Sequence, residues 1–169
     1  MLDTFFGLPI HPLIVHATVV IVPTAAAAVL LAALWPRFRA WAGWGPLALS
    51  VVAVVLTPLS TSSGENLRRR IGGGGPLVEE HSELAGFLLW WVIPLAVLAA
   101  ALYWAYTFRG GQPERTKAPV IRIVLTVVSA VVAVGTLVQV VLIGHSGAKA
   151  VWSEDGAAVS PVSTSYVGR

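Results

Sequence analysis

Residues 8–35 read "LPIHPLIVHATVVIVPTAAAAVLLAALW", and they decide what kind of protein this is. Beyond two histidines at its mouth the segment is apolar to its end. It lies inside a longer stretch, residues 4–36, with no Asp, Glu, Lys or Arg. An α-helix rises about 1.5 Å per residue and needs roughly 20 residues to cross a hydrocarbon core about 30 Å thick. Three more uncharged stretches of sufficient length follow, at residues 40–64, 84–108 and 123–148. Strands of a membrane barrel would be about 10 residues of alternating polarity, whereas these runs are continuously apolar. The fold class is therefore all-α, an integral membrane four-helix bundle in a lipid bilayer.

Composition supports the same class. The 169 residues suit one domain, 56% of them are hydrophobic and 11% charged, and the mean hydropathy is +0.80. The chain has no cysteine, which removes disulfides, thiolate zinc, iron–sulfur clusters, blue copper and covalently attached haem. The isoelectric point near 9.8 does not indicate nucleic acid, because the basic residues fall in loops between apolar runs, where they record topology. Asp3 is the only charge ahead of the first run. A signal peptide needs a basic start, so the first helix is expected to remain in the mature protein.

Pro12 suits a first helical turn, which starts helix one at about residue 12, with His11 at its N-cap, and ends it near 35. Helix two is expected at about 41–60, helix three at 79–108 and helix four at 119–145, followed by a polar tail, 153–169. The long connection "STSSGENLRRRIGGGGPLVEE" reads as a loop with a glycine hinge. Pro23, Pro58 and Pro94 fall inside apolar runs and are read as structural kinks. No internal repeat is visible.

Loop charges orient the chain. Arg37, Arg39, Arg109, Arg115, Lys117 and Arg122 share one side with Glu114 alone; the other side mixes Arg68, Arg69, Arg70, Lys149 and Arg169 with seven acids. The first side is expected to be cytoplasmic, with both termini outside.

His11 and His16 open helix one, His81 opens helix three and His145 closes helix four, so all four histidines share the outer side. Glu65 follows helix two there, and Glu79, Glu80 and Glu83 surround His81. His16 lies about 7.5 Å deeper than His11 and about 140° round the helix, and is expected to be the most buried of the four. Imidazoles with carboxylates to orient them are what a haem or metal site in a bundle requires. Gly144 and Gly147 flank His145 and leave room beside it. A plainer reading has each histidine at a helix end at headgroup level. The glycine run lacks the lysine of a phosphate loop, and no nucleophile elbow supports a hydrolase.

The segments "GLPIHPLIVH", "GENL", "EEH" and "GHSGAKAVW" together resemble a family of bacterial membrane proteins, domain of unknown function family 2231, over residues 5–152. The resemblance implies a four-helix membrane protein, with His11, His16, His81 and His145 as its characteristic positions. It brings no activity with it.

The leading expectation is a redox or binding subunit that holds b-type haem near the extracytoplasmic face, for electron transfer or redox sensing. His16 with His81 or His145 is the preferred axial pair, and His11 and Glu65 would orient them. A second class is a non-haem site in which His11, His16, His81, His145 and Glu65 hold zinc, copper or iron. A third is a cofactor-free accessory subunit of a membrane complex. A respiratory partner, a quinone and self-association fit these readings, and nucleic acid does not.

Overall fold

The computed structural model describes residues 4–5, 8–70, 72, 75–107 and 118–152. The polar tail, 153–169, and most of the connection ahead of the last helix lie outside the described residues. A two-residue antiparallel ladder, β1 (Thr4–Phe5) with β2 (Leu8–Pro9), precedes the helices. The helices are α1 (Ile10–Leu34), α2 (Pro36–Ala42), α3 (Gly45–Arg70), α4 (Pro76–Phe87), α5 (Leu89–Thr107) and α6 (Ala118–Trp152). Four spans are long and apolar enough to cross a membrane: α1, α3, the α4–α5 pair and α6. They form a ring in which α1 packs on α3 and α6, and α5 packs on the same two from the opposite corner.

What faces inward explains the ring. The core of α1 is small, with Ala25, Ala26, Ala32 and Ala33 buried around Val22 and Val29. Ala53, Ala99 and Ala133 approach it from the other spans. Large side chains are turned outward instead, among them Val20, Val55, Val97 and Val131. Small residues inside and bulky apolar residues outside are the packing of helices in lipid, where close backbone approach rather than water drives association. The connection between α1 and α3 carries an aromatic run, Trp35, Phe38 and Trp41, whose successive ring centroids are 6.4 and 5.7 Å apart. Trp41 and Trp44 are exposed, as residues anchoring a helix end at headgroup level are.

The helices depart from the expected boundaries near the histidines. α1 begins at Ile10, so His11 is inside the helix rather than capping it. α3 continues about ten residues beyond the expected end at residue 60, through "STSSGENLRRR". Local bonds sustain that extension: Thr61 Oγ1 donates to the Pro58 carbonyl, Ser63 Oγ to the Ser60 carbonyl, and Arg69 pairs with Glu65 one turn away. Arg68 pairs across the connection with Glu79 of α4. α6 runs past His145 to Trp152.

The third span is broken where the sequence showed one run. The Leu88 N–H donates to Ala85 rather than to Leu84, and α5 restarts at Leu89. This frees the Leu84 carbonyl, which accepts 2.8 Å from Nε2 of Gln139, a buried residue of α6. An unpaired buried carbonyl would be costly, so Gln139 stabilises the break. The other spans continue through their prolines, Pro23 in α1 and Pro58 in α3.

Candidate functional site

A cavity of about 530 Å³ opens between the four spans at the histidine end, within the roughly 300–1,000 Å³ usual for small-molecule sites. Its walls are mostly apolar, with Val15 and Val22 from α1, Ala85 from α4 and Val140 from α6. Two histidines face it: His11 from α1 and His81 from α4. They come from diagonally placed spans and line the same cavity.

Each ring is held the same way. His11 Nδ1 lies 2.9 Å from Ser63 Oγ, and that hydroxyl donates to the Ser60 carbonyl at 2.9 Å. His81 Nδ1 lies 3.1 Å from Ser146 Oγ, which donates to the Ile143 carbonyl at 3.0 Å. A hydroxyl has one proton. Since each serine gives its proton to a carbonyl, its oxygen accepts from the imidazole, and Nδ1–H is the donor. At His81 a carbonyl reinforces this assignment, because it can only accept: Ile143 O lies 3.2 Å from His81 Nδ1. Nε2 of both rings therefore carries the lone pair, the tautomer of a metal-ligating histidine.

Glycines make room for the rings. A Cβ on Gly64 would stand 3.0 Å from His11 Cε1, and one on Gly147 would stand 3.1 Å from His81 Cε1. The contact pattern is duplicated: a histidine near the start of one span rests on a Ser-Gly pair near the end of the next, once for α1 and α3 and once for α4 and α6. No repeat is evident in the linear sequence beyond the two dipeptides, Ser63-Gly64 and Ser146-Gly147. Those dipeptides are the signal that could have pointed to the serines and glycines as parts of the site.

The other expected site residues are placed differently. His16 is exposed, its Nδ1 2.6 Å from the Pro12 carbonyl of its own helix. It is not the most buried histidine, because a residue about 140° round from His11 leaves the face that carries Val15, Thr18 and Val22 into the bundle. His145 is exposed on α6; the neighbouring Ser146 and Gly147 face inward. Gly147 makes room beside His81 rather than beside His145. Glu65 reaches the cavity rim, and its carboxylate is 2.8 Å from Arg69. Arg68, paired with Glu79, is also at the rim. Among the described residues no three His, Cys, Asp or Glu side chains converge on a metal-sized position; His11, His81 and Glu65 line the cavity, while His16 and His145 do not.

Comparison with family models matches residues 7–160 to Predicted membrane protein (DUF2231). The chain belongs to this family. Comparison with curated proteins and with solved structures finds no match. Family membership extends across all four spans and both histidine and Ser-Gly pairs, so the site lies wholly within the shared domain.

Proposed function

We propose that the cavity holds b-type haem between His11 and His81, and that the protein transfers electrons or senses redox state at this face of the membrane. The observation that carries the reading is the duplicated hydrogen-bond pattern: two imidazoles on opposite spans, each with Nδ1 against a serine hydroxyl that itself bonds a carbonyl, which leaves Nε2 as a donor to a metal. Haem iron takes two such axial ligands, and a hydrogen bond from the far ring nitrogen fixes each ring and raises its basicity. Apolar walls suit a macrocycle, and Arg68 at the rim suits its carboxylates. His81 keeps the role the sequence proposed for it, while His11 replaces His16 and His145. A non-haem metal would draw only these two ligands from the histidines.

A second reading has support from the same tautomer. Two Nε2 lone pairs can accept hydrogen bonds from the two hydroxyls of a quinol, whereas a quinone carbonyl would meet no proton there. A respiratory partner and self-association remain part of the proposal. So does the orientation, with the histidine face outside the cytoplasm in a bacterial inner membrane.

The optical spectrum of purified protein, before and after incubation with haemin, tests this. A Soret band that sharpens on reduction is expected, together with its loss in both His11→Ala and His81→Ala. His16→Ala and His145→Ala should retain it. Protein that neither carries nor takes up haem overturns the haem reading, and binding of a quinol analogue by that same preparation would favour the second.

A further inference from the structure

We propose that Arg39, Arg122 and Tyr106 form a binding site for a phosphate group at the end of the bundle opposite the histidines. Three elements build it: α2 supplies Arg39, α5 supplies Tyr106 and α6 supplies Arg122. The Arg39 guanidinium lies 3.6 Å over the Tyr106 ring, and that of Arg122 is 5.7 Å from the same ring centroid. Both cations therefore lie beside one ring, near enough for a single anion at this surface to be attracted by both. Stacking uses the face of a guanidinium and leaves its edge N–H groups to donate, and a planar fork of donors matches phosphate geometry. Arg39 is also held in place, since Nη1 donates 2.6 Å to the Ala32 carbonyl in the last turn of α1.

Among the described residues, charge at this end is one-sided. Every described carboxylate, Glu65, Glu79, Glu80 and Glu83, lies at the histidine end, while Arg37, Arg39 and Arg122 lie here. Two arginines gathered on one ring repel each other, and an anion between them relieves that repulsion. Exposed Trp35, Trp41 and Trp44 put this end at headgroup level, where lipid phosphates are concentrated. The adjoining cavity is only about 20 Å³, room for about one water, so the phosphate meets the guanidiniums from the surface. Both a lipid headgroup and free phosphate carry the chemistry this site recognises.

Native mass spectrometry of the purified full chain from micelles containing equal phosphatidylglycerol and phosphatidylcholine tests the site. Wild type should retain phosphatidylglycerol preferentially. Arg122→Gln, an exposed change that leaves the Ala32 bond intact, should lower retention roughly fivefold, the ordinary effect of one basic residue at an anionic surface. Arg39→Lys should also lower it, because the charge stays and the planar fork is lost. Arg37→Gln, on the same short helix but not on the ring, should change nothing. Retention of added inorganic phosphate in place of lipid would support the site and assign its source to free phosphate. Equal losses in Arg37→Gln and Arg122→Gln, or no preference for either phosphatidylglycerol or phosphate, would overturn it.

Discussion

Trp91 of α5 packs the six-membered part of its ring into the space where Gly135 of α6 has no side chain. The two residues join the third and fourth spans through the bundle, and the fit exists only because one of them is glycine.

Gly135→Ala therefore overpacks this contact and should destabilise the protein by about 1–3 kcal/mol, the usual cost of an extra methyl group in a filled core. In a Trp91→Ala background the same change should cost little. Thermal unfolding of the four proteins in detergent gives the coupling as a double-mutant cycle. Equal costs in both backgrounds would mean the contact does not limit packing.

Gln139→Leu removes the donor that satisfies the Leu84 carbonyl at the break between α4 and α5. Leaving a buried carbonyl unpaired costs on the order of 1–3 kcal/mol. Loss of stability of that size is expected, with faster amide exchange around residues 84–92. An unchanged melting curve would show that another group takes over the carbonyl.

Ser63→Ala and Ser146→Ala each take away the oxygen that accepts from a histidine Nδ1. Haem titration should show affinity lowered about 10- to 100-fold in each, as for other groups that orient metal-binding histidines. Because the two arrangements are duplicates, the effects should be of similar size. A loss confined to one serine would assign the site to one histidine.

Gly64→Ala and Gly147→Ala bring a methyl group to 3.0 and 3.1 Å from the His11 and His81 rings. Each ring must shift, so the spectrum after incubation with haemin should differ from that of wild type even where the helices remain folded by circular dichroism. Gly86→Ala is the control, since a Cβ there meets nothing within 4 Å and the residue is not part of the cavity lining.

The chain has no cysteine, so a single Cys introduced at Ser163 reports orientation cleanly. Labelling by an impermeant thiol reagent added outside intact cells is expected, following the placement of Arg37 and Arg39 after the first span. Reaction from the cytoplasmic side alone would invert the topology.

The sequence by itself determined the class of protein and the ends of the bundle that matter. Four uncharged runs longer than a bilayer is thick leave helices as the only solution, since each backbone group in lipid must bond within its own segment. Spacing along those runs put all four histidines at one end, because each helix crosses once and carries its residues to a known side.

Which histidines meet was a tertiary matter. His11 and His16 both lie in the first two turns of α1, and the face that packs on α3 and α6 decides that the first enters the cavity and the second stays outside. The partners are equally remote in sequence: Ser63 reaches His11 across 52 residues and Ser146 reaches His81 across 65. Polar residues such as "STSSGENL" weigh towards a loop locally, yet the Arg69–Glu65 and Arg68–Glu79 pairs and packing against His11 accompany them in helix. Helix rotation and pairing arise from packing small residues against small residues. No local pattern encodes them, and they place two of the four histidines on one cavity.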